Sequence, residues 1–83
     1  MAEYLVAFGS THAALSFEAA FGGDGRLVPV PPKVRAGCGM GLLFLSADSH
    51  QASARVRETA AQLGVSDQID GMYLKSGASY EKV

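Results

Sequence analysis

Pro29-Val-Pro-Pro-Lys-Val-Arg-Ala-Gly-Cys-Gly-Met-Gly41 is the stretch that decides how this chain of 83 residues folds. Proline has no backbone N–H and cannot donate a hydrogen bond within a sheet, so the strand that contains Pro29 is predicted to lie at a sheet edge. The stretch holds all three prolines and the only cysteine, Cys38. Cys38 lies between two glycines in a loop that carries Lys33 and Arg35 and no acid.

Four apolar segments and two helical patterns surround this stretch. The strands are predicted at residues 4–8, 26–30, 41–45 and 69–75, where strand-forming residues end at glycine or turn residues. The first helix follows a Ser10-Thr11 cap and ends at Gly22-Gly23, and the second begins at Asp48 or Ser49 and ends at Gly64. The apolar stripes that face the core are Ala14, Phe17 and Phe21 in the first helix and Ala52, Val56, Ala60 and Leu63 in the second.

The order βαββαβ predicts an α+β fold of the ferredoxin-like split βαβ type. In this fold a four-stranded antiparallel sheet has the order 4-1-3-2 and carries both helices on one face, with strand 2 at an edge, as Pro29 requires. We expect one domain over residues 1–75 and a flexible tail over 76–83. Three strands are apolar on both faces, so the face without helices is expected to be uncovered and to bind a second copy of the chain or a protein partner.

Composition narrows the function classes. The chain is 48% hydrophobic and 18% charged, with a net charge of −1, which is typical of a compact globular protein and gives no sign of nucleic-acid binding. Its apolar runs are shorter than the ~18 residues of a membrane span, and it shows no signal peptide. One cysteine cannot form an intramolecular disulfide, so we expect a cytoplasmic location.

The predicted topology gives Cys38 a chemical environment. The loop between strands 2 and 3 lies at the same end of the sheet as the start of the first helix, so Cys38 is expected near Ser10, Thr11 and His12. The positive end of the helix dipole, together with Lys33 and Arg35, favours the thiolate. Gly37 and Gly39 are expected to leave the sulfur accessible, and His12 is a candidate acid/base partner.

The residues alone leave other interpretations open. Cys38 is also consistent with an inert apolar side chain, His12 with a surface residue, and the glycines with a tight turn. His50 is predicted at the opposite end of the sheet, so the histidines and Cys38 do not form a metal site. A stand-alone enzyme is disfavoured, because the sequence offers one nucleophile and no secure base. A redox sensor that uses Cys38 is a third interpretation.

Several of these segments resemble a known family. They are Tyr4-Leu-Val-Ala-Phe8, Ser10-Thr11-His12, Leu27-Val-Pro-Val-Pro31 and Gly37-Cys38-Gly39. The sequence from about residue 4 to residue 73 resembles the small bacterial family labelled Putative Se/S carrier protein-like. The resemblance implies that Cys38 holds sulfur or selenium as a persulfide or selenopersulfide, needs no cofactor, and exchanges the atom with a donor such as a cysteine desulfurase and with an acceptor enzyme. The alternative is a non-catalytic ferredoxin-like module that binds a protein or a small ligand, with Cys38 incidental.

Overall fold

The computed structural model describes residues 1–32, 34 and 37–83. Within this part of the chain two helices pack against one antiparallel sheet of five strands, an α+β architecture. The elements are β1 (Ala2–Phe8), α1 (Thr11–Phe21), β2 (Arg26–Pro29), β3 (Met40–Ser46), α2 (Ser49–Leu63), a 3₁₀ turn (Ser66–Gln68), β4 (Ile69–Ser76) and β5 (Ser79–Lys82).

The sheet has the order β2-β3-β1-β4-β5, and each adjacent pair is antiparallel. The first four strands therefore have the predicted order, and β2 lies at an edge as Pro29 requires. Pro29 is paired with Met40, so the chain leaves β2 and enters β3 at the same end of the sheet. Phe8, the last residue of β1, lies at this end too, because Ala7 is paired with Gly41.

The predicted ends of α1 are confirmed. Ser10 is extended and its side chain accepts a hydrogen bond from the N–H of Ala13, which satisfies one of the unpaired donors of the first turn. Gly22 ends the helix at φ +72°. The buried residues of α1 are Ala13, Ala14, Phe17 and Phe21, which include the whole predicted stripe.

Helix α2 also begins and ends where its sequence predicts. Asp48 accepts a hydrogen bond of 2.8 Å from the N–H of Gln51, and Gly64 adopts the left-handed conformation that closes the last turn. The buried residues are Ala52, Val56, Thr59 and Ala60, whereas Leu63 is only partly buried. The hydroxyl of Thr59 donates to the carbonyl oxygen of Arg55, so its burial leaves no unpaired donor.

Both helices cover the same face of the sheet, which we call the helix-side face. Side chains of β1, β3 and β4 on this face pack with those of α1 and α2 into one apolar cluster, in which Phe8, Phe17, Leu42 and Phe44 are almost completely buried. The ring centroids of Phe8 and Phe17 are 5.1 Å apart, within the range of favourable aromatic pairs. The prediction that the two helices share one face is therefore confirmed.

The opposite face of the sheet, which we call the second face, is not bare as the sequence suggested. Leu5 and Ala7 are fully buried there, and Leu43 is 5% exposed. They form a small cluster with Val34, from the loop between β2 and β3, and with Tyr73 and Tyr80, among others. The expected uncovered apolar face is thus corrected, because side chains of the same chain cover part of it.

The four-stranded sheet is likewise corrected to five strands within the described residues. The segment 76–83, expected to be a flexible tail, contains β5, which pairs with β4 from Ser76↔Ser79 to Tyr73↔Lys82. The two strands are joined by Gly77 and Ala78, and Gly77 has φ +60°. This matches a type II′ hairpin turn, which requires glycine at its first central position.

Neither of the described helices has the combination of length and apolar composition that a membrane span requires.

Candidate functional site

Cys38 lies at the end of the sheet where β1 leads into α1. The N–H of Cys38 donates a hydrogen bond of 3.4 Å to the carbonyl oxygen of Phe8, and the N–H of Val30 donates to the carbonyl oxygen of Gly39. The first contact holds the residues before β3 against the end of β1, and the second joins the two ends of the loop between β2 and β3. Cys38 therefore lies at the predicted end of the sheet, where β1 leads into the first helix, and its nearness to Thr11 and His12 stays a prediction.

The sulfur atom is held by the backbone of Met40. The N–H of Met40 donates to Sγ of Cys38 at 3.4 Å, and the thiol donates to the carbonyl oxygen of Met40 at 3.5 Å. A thiol satisfies both contacts, whereas a thiolate retains only the N–H donor. Cys38 is half-buried and packs against the helix-side cluster. The flanking residues Gly37 and Gly39 are exposed, but the sulfur between them is partly shielded.

Gly37 makes the close approach between the two turns possible. A Cβ atom built on Gly37 would lie 2.6 Å from the carbonyl oxygen of Gly9, a distance that real Cβ atoms do not adopt. Gly39, with φ +74°, serves a different purpose, because its conformation is one that other residues rarely adopt. The two glycines therefore have separate structural reasons to flank Cys38.

A carboxylate completes the site. Oδ2 of Asp70, near the start of β4, accepts a hydrogen bond of 2.8 Å from the N–H of Gly37. The 3₁₀ turn just before β4 binds the turn between β1 and α1, because the N–H of Gly9 donates to the carbonyl oxygen of Gln68 at 2.7 Å. The site is thus built from three segments that are distant in sequence: the β1–α1 turn, the Cys38 loop and the beginning of β4.

The remaining predicted site residues have different positions. Ser10 accepts a hydrogen bond from Ala13 as the cap of α1, and Thr11 and His12 are exposed in its first turn. Lys33 and Arg35 lie outside the described residues, so the expected positive charge of the loop stays a prediction.

His50 lies at the other end of the sheet, as predicted. It is in the first turn of α2, next to Ser49, whose hydroxyl is 3.2 Å from that of Tyr4. Strand β3, which leads to this helix, ends at Ser46, opposite Ala2 at the start of β1. Among the described residues no cluster of His, Cys, Asp and Glu has the geometry of a metal site.

Asp70 was not predicted to lie near Cys38, because the loop that carries Cys38 contains no acid of its own. The signal was nevertheless available. In the predicted topology the fourth strand starts at the sheet end where the first strand finishes, so its first polar residue is a candidate neighbour of Cys38.

A separate cleft of about 280 Å³ lies between α2 and the start of β4. It is lined by Val56, Arg57, Ala60, Ser66 and Ile69. Cys38 is not among these residues, so the cleft and the cysteine are two distinct features of the surface.

Comparison with protein families identifies the chain. The model of the family described as Putative Se/S carrier protein-like matches residues 3–73. The chain belongs to this family. The match of this Se/S carrier-like chain includes Cys38, Asp70 and both helices, and it ends within β4, so β5 lies beyond it. Comparison with curated proteins and with solved structures gave no match.

Proposed function

We propose that the protein carries sulfur or selenium on Cys38, as a persulfide or selenopersulfide, between a donor enzyme and an acceptor enzyme. The observation that carries the proposal is that the only cysteine of a Se/S carrier-like chain is held by backbone hydrogen bonds at the end of the sheet where β1 leads into α1. A carrier needs one accessible nucleophilic thiol and no second cysteine.

The transfer step is a thiol–disulfide type of exchange. The thiolate of Cys38 attacks the outer sulfur of a persulfide on the donor, such as a cysteine desulfurase. The S–S bond of the donor breaks and a new S–S bond forms on Cys38, while the donor cysteine leaves as a thiolate. No electrons are gained or lost overall. In the second transfer a nucleophile of the acceptor attacks the outer sulfur atom on Cys38, and Cys38 leaves as a thiolate. In the selenium reaction, selenium takes the place of this outer sulfur atom.

The residues around Cys38 support an anionic sulfur. The N–H of Met40 already donates to Sγ. The first turn of α1, with Ser10 as its cap and Thr11 and His12 at its start, carries unpaired backbone N–H groups and the positive end of the helix dipole. In this proposal Lys33 and Arg35 add positive charge, Gly37 and Gly39 place no side chain in the way of the donor, and His12 accepts the proton of the thiol.

The experiment is intact-mass spectrometry after incubation with a cysteine desulfurase and cysteine. Wild-type protein is expected to gain the mass of one sulfur atom, and reduction should remove it. The Cys38→Ser variant should not gain it. Equal loading of the Cys38→Ser variant, or no loading of a wild-type protein whose thiol reacts with iodoacetamide, contradicts the proposal. A parallel incubation with a selenium donor tests the choice of element.

The partners follow from the same proposal. The donor and acceptor dock at the sheet end that holds Cys38, in the reducing cytoplasm where a lone thiol persists. A homodimer through the second face stays a prediction, although that face is already covered in part by Val34, Tyr73 and Tyr80. Light scattering at high micromolar concentration tests it, because a clean monomer would contradict the dimer.

The second candidate function is a binding module in which Cys38 is incidental. The order and directions of β1 to β4 and the two helices lead us to infer a ferredoxin-like fold extended by β5, and such folds also serve as binding modules. The cleft beside α2 favours this candidate, because it is largely apolar, with Arg57 and Ser66 among its lining residues. A fragment screen by NMR that shifts these residues equally in wild type and Cys38→Ser would support it.

A further inference from the structure

Asp70 is the one side chain described that bonds to the Cys38 loop from a different part of the sheet. Its Oδ2 atom is 2.8 Å from the nitrogen of Gly37, although 33 residues separate the two in sequence. Its other carboxylate oxygen, Oδ1, faces Gly9 and would be 3.3 Å from a Cβ atom built there. The carboxylate therefore binds the Cys38 loop through Oδ2, and Oδ1 lies near the β1–α1 turn.

The other contacts at this place are made by backbone atoms alone. Cys38 N–H donates to Phe8 and Gly9 N–H donates to Gln68. The first of these bonds, at 3.4 Å, is long for an N–H···O bond, whereas the bond to the carboxyl group of Asp70 has an ordinary length. Of the two bonds that join the loop to β1 and β4, the Asp70 bond is therefore the shorter, and it can be removed without altering the backbone chemistry of the loop.

We propose that Asp70 is a positioning residue that regulates access to Cys38. While its carboxylate binds the N–H of Gly37, the loop stays against the β1–α1 turn and Sγ stays half-buried beside Met40. When this bond opens, the loop separates from Gly9 and Sγ becomes accessible to a donor enzyme. The biological purpose of this role rests on the proposed carrier function, but the effect of Asp70 on the accessibility of Cys38 can be measured without a donor enzyme.

The hydrogen bond of Asp70 and its negative charge have separate effects on the reactivity of Cys38. A negative charge close to a cysteine disfavours the thiolate, so removal of the charge alone would also speed the reaction of Cys38. Asparagine separates the two effects, because its side-chain oxygen still accepts a hydrogen bond while the charge is gone. Asp67, an exposed acid in the adjacent 3₁₀ turn, provides a control for the general loss of one negative charge.

The experiment measures the rate at which iodoacetamide alkylates Cys38 at constant pH in wild type and in the Asp70→Ala, Asp70→Asn and Asp67→Ala variants. Asp70→Ala is expected to react about three- to ten-fold faster, the effect of losing one hydrogen bond. Asp70→Asn is expected to show only the smaller increase that the loss of the charge causes, and Asp67→Ala is expected to stay close to the wild-type rate. An unchanged rate in Asp70→Ala, or an equal increase in Asp70→Asn, overturns the inference.

Hydrogen exchange of the Gly37 amide is the second readout, and it needs no variant. In the wild type this amide should exchange more slowly than a free glycine amide, and unprotected exchange contradicts the inference even if Asp70→Ala fails to fold.

Sulfur loading is assayed separately. If the wild type cannot be loaded while the alkylation pattern is as expected, the carrier function fails and the positioning role stands. If the wild type loads but Asp70→Ala is alkylated at the wild-type rate, the positioning role fails alone.

Discussion

The backbone of Gly37 passes so close to Gly9 that a Cβ atom on Gly37 would lie 2.6 Å from the carbonyl oxygen of Gly9. This contact joins the loop that carries Cys38 to the turn between β1 and α1. Because both partners are backbone, neither can move aside by rotating a side chain. The position of Cys38 therefore depends on the absence of a side chain at its neighbour.

Replacement of Gly37 by alanine is expected to separate the two turns. The added methyl group meets fixed backbone atoms, so the free energy of unfolding should fall by about 1–3 kcal/mol, as for other overpacked sites. Urea denaturation measures this change. Gly39→Ala is the matched control, because it has positive φ but open space around it, and its cost should stay near ~1–2 kcal/mol from backbone strain alone. Wild-type stability in Gly37→Ala would contradict the close contact.

The cap of α1 can be tested at Ser10, whose side chain accepts from the N–H of Ala13 at 3.1 Å. Ser10→Ala leaves this donor without its partner, and we expect a loss of about 1 kcal/mol in the free energy of unfolding. Ser10→Asn retains an acceptor and should lose much less. Thermal denaturation of both variants checks the prediction, which fails if alanine and asparagine are equally tolerated.

Phe17 should be among the most sensitive residues of the core. It is fully buried between α1 and the sheet, and its ring packs with those of Phe8 and Phe21. Phe17→Ala is expected to cost about 3–5 kcal/mol, a large part of the stability of so small a chain. Leu15→Ala on the same helix is the control, because Leu15 is 54% exposed. Chemical denaturation should show a loss below about 0.5 kcal/mol for Leu15→Ala.

The fifth strand can be tested through Tyr80, which packs against the second-face cluster. Tyr80→Ala should lower the free energy of unfolding by about 1–3 kcal/mol, whereas Tyr80→Phe keeps the ring and should be nearly neutral. Glu81→Ala, at the next and exposed position, is the control. If Tyr80→Ala has no more effect than Glu81→Ala in urea denaturation, residues 76–83 behave as the loose tail that their composition suggests.

The sequence was sufficient to predict the local structure where a residue type strongly favours one backbone conformation or hydrogen-bonding role. Pro29 identified the edge strand, Ser10 and Asp48 identified the helix starts, and Gly22 and Gly64 identified the helix ends, because each has a backbone property that few residues share. The apolar stripe of α1 followed from its spacing alone. Together with the element order βαββαβ, these local rules led to the predicted topology, and the first four strands have the order that it requires.

The parts that were missed depend on contacts between distant segments. β5 is short and polar, and only Gly77, in a two-residue turn before Ser79, signals a hairpin. The cover of the second face comes from Val34 and from two tyrosines of other strands. Asp70 reaches Gly37 across the sheet end, and no local pattern in β4 marks it as a neighbour of Cys38.

The direction of β1 has a practical consequence for measuring donor binding. Ala2 begins this strand and Phe8, whose carbonyl oxygen accepts from the N–H of Cys38, ends it, so the start of β1 and Cys38 are separated by roughly 20 Å of extended chain. A sensor surface attached at Met1 would therefore present the thiol end to solution. Attachment at Val83, whose N–H donates to the carbonyl oxygen of Met72 in β4, would instead anchor the flank of the sheet and bring the tether closer to the sheet end that holds Cys38.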